Sequence, residues 1–191
     1  GASNSIAAPV SLNDSLTISA FPGALVALSG NISGTGPNHI LSISSGAGTV
    51  ALSGNNTYGP AAGSVGTLIT GSGTGTLELD NNNALGAGDV SLFRNSTISA
   101  GIPLNMANNF VISNTVTASL NDNGNNVTLS GVLSGGGAFG KNGTGKLVLS
   151  GANSYNGNTS IGGGTIQLGD ASGIPGGSGN GDVNMGINTI L

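Results

Sequence analysis

The sequence predicts an all-β protein folded as a parallel β-solenoid, and three observations support this prediction. Short clusters of Leu, Ile and Val alternate with polar residues at a period of two, which is typical of strands with one buried face. Gly, Asn, Asp or Ser bounds each cluster, as expected at turns. The chain also resembles itself along its length, and small repeats that cannot bury their own apolar face must stack on their neighbours.

The strand clusters are short and follow one another at regular intervals. They include residues 16–18, 41–43, 50–52, 77–79, 127–129, 147–149 and 166–168. No segment combines helical spacing, capping residues and helix formers, so we expect no helix. A β-propeller is disfavoured because its blades carry aromatic signatures, and this chain has four Phe, two Tyr and no Trp. We expect roughly eight or nine coils of about 20 to 25 residues, each rising ~4.8 Å.

Composition excludes several classes of function. The 191 residues include 37 Gly, 25 Asn, 25 Ser and 16 Thr, but the 37% of hydrophobic residues in alternating clusters argues against disorder. With three basic residues and a net charge of −4, the chain is a poor partner for nucleic acid. It has no cysteine for disulfides or thiolate metal sites, and no apolar run long enough for membrane insertion as a helix.

Self-comparison divides the chain into two tandem modules of one continuous solenoid. Residues 48–58 align with residues 145–155, and residues 28–36 align with residues 129–137. A short element recurs three times, as Asn4-Ser-Ile6, Asn95-Ser-Thr-Ile98 and Asn188-Thr-Ile190. We therefore place the first solenoid module at residues 1–94, the second at residues 95–187, and the start of a third copy at residues 188–191.

Residues 143–169 read GTGKLVLSGANSYNGNTSIGGGTIQLG. This segment resembles the autotransporter-associated β-strand repeat of bacterial passenger domains, with the pattern G-x-G-x-L-x-L-x-G-x-N-x-Y-x-G-x-T-x-I-x-x-G-x-L. A weaker copy runs over residues 48–58 and resumes near residues 66–68. The resemblance implies a right-handed β-helix of a secreted protein, extracellular or at the cell surface. It specifies fold more tightly than function, because such passengers include adhesins, stalks and enzymes.

Two motifs could indicate a catalytic or binding site, but each has a simpler structural interpretation. Residues 140–146 match the spacing G-x-x-x-x-G-K of a phosphate-binding loop, but Leu147 stands where Ser or Thr should hold magnesium, and a strand follows instead of a helix. Glu78 and Asp80 could imitate the paired carboxylates of a polysaccharide-cleaving enzyme, although Gln167 and Gly169 replace them in the second module. We expect no catalytic residue, no cofactor and no enzymatic activity.

The remaining polar and aromatic residues also lack a clear chemical pattern. His39 stands alone, and five aspartates occur singly at expected turns, namely Asp14, Asp89, Asp122, Asp170 and Asp182. We therefore predict no metal site, while incidental calcium at a turn stays open. Tyr58 and Tyr155 occupy equivalent positions, where they either pack at the end of a coil or form a glycan-binding platform.

The solenoid ends suggest a function. Neither end carries the charged strand, helix or proline with which solenoids cap their exposed backbone. We predict an assembly interface of Asn4, Ser5, Ile6, Val10 and Leu12 at the N-terminal end, and of Val183, Met185, Ile187, Ile190 and Leu191 at the C-terminal end. The leading hypothesis is a structural subunit of an extracellular bacterial filament or biofilm matrix fibre, joined head to tail with copies of itself. The alternative is a stalk or adhesive passenger fragment of an autotransporter-like surface protein, with a cell surface or glycan as partner.

Overall fold

A computed structural model describes residues 1–44, 46–71, 73–175, 181–187 and 189–191. Every regular element within these residues is a β-strand, and none is a helix. In chain order the strands are β1 Ser3–Ile6, β2 Val10–Ser11, β3 Leu16–Ile18, β4 Leu25–Leu28, β5 Ile32–Ser33, β6 Leu41–Ser44, β7 Thr49–Leu52, β8 Val65–Thr70, β9 Thr76–Leu79, β10 Asp89–Leu92, β11 Ser96–Ala100, β12 Leu104–Met106, β13 Phe110–Ile112, β14 Thr117–Asn121, β15 Val127–Leu129, β16 Leu133–Ser134, β17 Ala138–Asn142, β18 Lys146–Leu149, β19 Thr159–Ile161, β20 Thr165–Leu168 and β21 Val183–Met185.

All strand pairs among the described residues are parallel, and each strand pairs with a strand from a neighbouring coil. The largest sheet has nine strands in the order β1-β4-β7-β9-β11-β14-β17-β19-β21. A second sheet has the order β3-β6-β8-β10-β13-β16, a third the order β12-β15-β18-β20, and a two-stranded sheet joins β2 to β5. This arrangement confirms the predicted all-β parallel solenoid, which makes about eight turns.

One coil in the middle of the chain shows the path of the backbone. β11 lies in the nine-stranded sheet, β12 in the four-stranded sheet and β13 in the six-stranded sheet, before β14 returns to the nine-stranded sheet. In the first coils β2 and β5 take the place of the four-stranded sheet. The coils differ in length: Gly140 pairs with Ser160, 20 residues on, whereas Val50 pairs with Leu77, 27 residues on.

The core lies between the sheets and is built from columns of inward side chains stacked from coil to coil. Because neighbouring strands are parallel and in register, one inward position of the nine-stranded sheet aligns across all its strands. That column consists of Asn4, Val26, Val50, Leu77, Ile98, Leu120, Lys141, Ile161 and Met185. Its central members are buried, including Lys141, whose side chain has no solvent exposure.

The repeat in the sequence and the repeat of the coils do not keep the same phase. Leu52 and Leu149 are equivalent in the aligned motifs, but Leu52 lies in the nine-stranded sheet and Leu149 in the four-stranded sheet. In the nine-stranded sheet, the four coils from Asn4 to Ile98 take 94 residues, whereas the four coils from Ile98 to Met185 take 87. Between the two motif copies, the four coils from Val50 to Lys141 take 91 residues, fewer than the 97 residues that separate Leu52 from Leu149, so the second copy lies on the next face.

The same shift separates the three copies of the Asn-Ser-Ile element. Ile6 and Ile98 both lie in the nine-stranded sheet. Ile190 instead forms a parallel bridge with Thr165 beside the four-stranded sheet. Asn188 lies outside the described residues. The third copy therefore does not share the face of the first two.

Candidate functional site

The predicted assembly residues lie at the two ends of the solenoid. β1 and β21 are the two edge strands of the nine-stranded sheet. At the N-terminal end Asn4, Ser5 and Ile6 are exposed in β1, while Val10 is half-buried and Leu12 is buried. Leu12 thus belongs to the core of the first coil and is not accessible to another molecule.

At the C-terminal end all five predicted residues are exposed apolar side chains. The exposed fraction rises from 41% at Val183 and 49% at Met185 to 91% at Ile187, and Ile190 and Leu191 are also more than half exposed. Single exposed apolar residues are common on protein surfaces, but a group of them beside an unpaired strand edge is typical of an interaction site.

The register of the nine-stranded sheet defines what would meet across the two ends. Met185 and Asn4 occupy the same inward column, on the last and first of the nine strands. If another β1 strand followed β21 in this register, Met185 would lie against Asn4. Ile187 lies in a turn two residues beyond β21, on the side of the junction where the added β1 strand would end in Ile6. Ile6 is 46% exposed, so both isoleucines have apolar surface to bury.

A groove on the side of the solenoid brings together residues that the sequence did not single out. It has a volume of about 1070 Å³ and follows the corner between the six-stranded and nine-stranded sheets. Ser44, Gly46 and Gly71 line it between Phe21 at one end and Phe93 and Arg94 at the other. Phe21 is 77% exposed and Phe93 53% exposed, although aromatic residues are scarce in this chain.

The two tyrosines are buried, so they form no glycan-binding platform. The Tyr58 hydroxyl lies 2.7 Å from Oγ1 of Thr67, and the Tyr155 hydroxyl lies 2.6 Å from Oγ1 of Thr159. Burial raises the pKa of both phenols above the ordinary value, against a smaller lowering by these hydrogen bonds, and the shift is large at Tyr58. Both residues therefore serve the core of the solenoid.

Asn56 and Asn153 are structural residues that the sequence analysis missed. Each is buried and lies two positions before one of the tyrosines. Asn153 Oδ1 accepts a hydrogen bond from Leu133 N, and its Nδ2 donates one to Gly173 O, both at 2.7 Å. The G-x-N-x-Y spacing was the available signal, because it places a polar residue and an aromatic on the same face of an extended segment.

The segment that matches a phosphate-loop spacing forms the end of β17, a turn and the start of β18. Its Lys141 points into the core and forms a buried ion pair with Asp122 of the preceding coil. Asp122 was expected to stand alone in a turn, and the structure instead gives it a charged partner. The sequence carried no signal for this pair, since the two residues are 19 positions apart.

The other acidic candidates do not form a site with several ligands. Glu78 lies in β9 and Asp80 follows it, and both are half-buried. Within the part of the chain that the structure describes, no three or more His, Cys, Asp or Glu residues are grouped so that they could hold a metal ion. The described residues also contain no helix that is long and apolar enough to cross a membrane.

Comparison with known proteins agrees with the repeat pattern. The family model of the passenger-associated-transport-repeat matches residues 45–71 and 139–168. The adhesin BmaC autotransporter of Brucella suis biovar 1 (strain 1330) is 45% identical over 60 residues, which is 31% of this chain and 2% of that protein. No solved structure matches the chain.

The two matched segments are the same regions in which the residues suggested the repeat, and they lie on the strands of the solenoid. Residues 45–71 contain β7 and β8, and residues 139–168 contain β18, β19 and β20. The sequence pattern, the parallel solenoid and the family match therefore agree, and the chain carries two segments that are similar to the passenger-associated-transport-repeat.

Proposed function

We propose that this chain is a rigid structural segment of a surface-exposed passenger protein, with no catalytic role. The nine-stranded parallel sheet, which extends from β1 to β21, is the observation that supports this proposal. Consecutive coils are joined by backbone hydrogen bonds along the sheet and by the stacked aliphatic core, so bending requires the disruption of both. Such a segment suits a stalk that holds other parts of a surface protein away from the cell.

Small-angle X-ray scattering of the isolated chain tests the proposal. Eight rungs of ~4.8 Å predict a rod on the order of 40 Å long. At concentrations at which the chain is a monomer, the pair-distance distribution should be that of an elongated and rigid particle. A distribution typical of an expanded, flexible chain would contradict the structural role.

The same structural role extends to contacts between molecules, in which the C-terminal end of one copy joins the N-terminal end of the next. The unpaired edges of β1 and β21 support this extension, since each offers backbone groups for strand addition. The exposed apolar side chains of Ile187 and Ile6 at the two ends also support it, because a junction that buried them would remove apolar surface from water. A head-to-tail contact of this kind leads to open filaments when its rotation does not close a ring.

Sedimentation velocity over a concentration series tests head-to-tail assembly. The unmodified chain should form larger species as its concentration rises, and Ile187→Asp should remain a monomer because it places a charge in the contact. Ile102→Asp is the matched control, since Ile102 is 39% exposed but lies on the side of the solenoid, between β11 and β12. A monomeric unmodified chain at the highest concentration, or equal loss of assembly in both variants, would contradict this proposal.

The corner groove favours adhesion as a second candidate function. Phe21 and Phe93 offer exposed aromatic faces, and Arg94 offers a guanidinium that can bind a carboxylate through two hydrogen bonds. Arg94 forms no ion pair within the described residues. An acidic oligosaccharide combines apolar ring faces with carboxylates, so it is the ligand that this groove fits best.

Binding of trigalacturonate, measured by isothermal titration calorimetry, tests the second candidate. The unmodified chain should bind it, whereas Phe93→Ala and Arg94→Gln should each weaken binding at least about tenfold, the equivalent of ~1.4 kcal/mol. Maltotriose, which lacks carboxylates, is the control ligand, and Ile102→Ala is the control variant. Equal binding of both sugars, or no binding of either, would contradict a site for acidic sugars in this groove.

A further inference from the structure

Lys141 and Asp122 form an ion pair that is entirely buried. The side chains of both residues have no solvent exposure. Lys141 lies in the inward column between Leu120 and Ile161, where the neighbouring coils carry aliphatic residues. Transfer of two charges into such an interior costs several kcal/mol per ion. The attraction between the two charges and the hydrogen bonds around them must offset this cost for as long as the pair stays ionic.

The atoms around the Asp122 carboxyl group are arranged asymmetrically. Oδ1 accepts hydrogen bonds from the backbone N–H groups of Gly124 and Gly145, at 2.8 and 2.9 Å. Oδ2 faces Lys141 Nζ instead. Nζ also donates to the backbone oxygen of Gly143 at 2.9 Å and to that of Asn142 at 3.3 Å. One carboxyl oxygen is thus held by backbone donors, and among the described residues the other has the amine as its only hydrogen-bond partner.

We propose that Lys141 and Asp122 condense to form an intrachain amide, which joins two adjacent coils covalently. A proton first passes from the Nζ ammonium to the Asp122 carboxylate, so that a neutral amine faces a neutral carboxylic acid. A bond then forms between Nζ and Cγ, and the bond between Cγ and Oδ2 breaks. Oδ2 leaves as water, with the proton of the acid and one proton of the amine. The step needs no oxidant, reductant or other reactant.

The backbone groups at the site suit both the transition state and the product. Negative charge that develops on Oδ1 during the attack meets the N–H groups of Gly124 and Gly145, in the manner of an oxyanion hole. The solenoid keeps the reacting atoms in contact, which removes much of the entropic barrier. In the product Oδ1 keeps both donors, and the remaining amide N–H faces Gly143 O. The buried pair of charges becomes one neutral group whose donor and acceptor both have partners.

Such a bond would have a role that disulfides fill in many extracellular proteins. This sequence contains no cysteine, so without the amide its coils are joined only by the backbone that runs from one to the next and by noncovalent contacts. Asp122 follows β14 and Lys141 lies in β17, which pairs with β14, so the amide would tie one coil to the next. This inference does not depend on the proposed roles in support or adhesion.

The intact mass of the denatured chain and its digestion by trypsin together test the inference. The measured mass should be lower than the sequence mass by one water molecule. Trypsin cleaves after Lys and Arg, which in this chain are Arg94, Lys141 and Lys146. An amide on Nζ removes the charge that trypsin recognises, so we expect cleavage after Arg94 and Lys146 but none after Lys141. Tandem mass spectrometry of the resulting peptide should locate the linkage.

Asp122→Ala is the control variant, because it removes the carboxyl group and leaves the lysine. Its denatured chain should have the full sequence mass and should be cleaved after Lys141, whether or not the variant folds. Full mass and complete cleavage after Lys141 in the unmodified chain would overturn the proposal. A succinimide at an aspartate also loses one water, but it leaves Lys141 open to trypsin, so that result would overturn the proposal as well.

Discussion

Asn56 and Asn153 form the same pair of hydrogen bonds on two different faces of the solenoid. Asn56 Oδ1 accepts from Ile32 N, and Asn153 Oδ1 accepts from Leu133 N, each at 2.7 Å. The side-chain Nδ2 of each then donates to a backbone oxygen of the following coil, also at 2.7 Å. Each asparagine therefore connects the coil before it to the coil after it, at a position where its own segment is not a strand.

Asn153→Ala should lower the free energy of unfolding by about 2 to 4 kcal/mol. The substitution leaves two buried backbone groups without a partner, the N–H of Leu133 and the C=O of Gly173, and each unsatisfied group costs ~1–3 kcal/mol. Chemical denaturation followed by circular dichroism measures the loss.

Asn55→Ala is the matched control for the buried asparagines. Asn55 is exposed, and its Oδ1 accepts a hydrogen bond from Asn83 Nδ2 at 2.8 Å on the surface. We expect Asn55→Ala, which removes this hydrogen bond, to lower the free energy of unfolding by less than about 1 kcal/mol, as for other exposed hydrogen bonds. Similar losses in Asn55→Ala and Asn153→Ala would show that the bridging role of Asn153 is not important.

The sequence was sufficient to predict the class of fold but not the position of each motif on it. Period-two clusters predicted strands such as β7 and β18, because alternation depends only on local geometry. The face on which a motif lies depends on the summed lengths of all preceding coils. Four coils of the nine-stranded sheet, from Val50 to Lys141, take 91 residues, whereas Leu52 and Leu149 are 97 residues apart, so Leu149 lies in a different sheet from Leu52.

The candidate sites were less predictable than the fold, for related reasons. The group of apolar residues at the C-terminal end, including Ile187, could be predicted from the sequence, because the alternating strand pattern continues to the last residues. The groove between Phe21 and Phe93 could not be predicted from the sequence, because it forms only when the corners of four successive coils align. The pair of Asp122 with Lys141 was hidden in the same way, by contact between coils.

Glycine positions with similar backbone conformations should differ in their tolerance of alanine. Gly23 and Gly135 both have positive φ, at 73° and 100°. A Cβ at Gly23 would meet no atom within 4 Å, whereas a Cβ at Gly135 would lie 2.1 Å from Ile112 O. Gly23→Ala should lower the free energy of unfolding by ~1–2 kcal/mol, the cost of a left-handed alanine, and Gly135→Ala should lower it by more, because its Cβ would also clash with Ile112 O. Equal midpoints of thermal unfolding for the two variants would contradict the close approach of the coils at Gly135.

Alkaline pH should unfold the protein through its two buried tyrosines. Burial raises the folded-state pKa of Tyr58 and Tyr155 above the unfolded value of about 10. Below that unfolded value both phenols are protonated in the folded and unfolded chains, so their contribution to stability is fully present. As pH rises above about 10 the unfolded chain loses protons that the folded chain retains, and the free energy of unfolding falls.

Absorbance at the wavelength of tyrosinate measures this alkaline transition directly, because the chain has two Tyr and no Trp. Tyrosinate should appear together with the loss of β-sheet circular dichroism, and Tyr58→Phe should shift the transition to higher pH. The phenylalanine variant keeps the ring in place, and Thr67 Oγ1 keeps its hydrogen bond to Leu85 O at 3.2 Å, so its stability near neutral pH should fall by only about 1 kcal/mol. Ionisation of both tyrosines near pH ~10 in a chain that remains folded would contradict their burial, since an accessible phenol titrates at that pH.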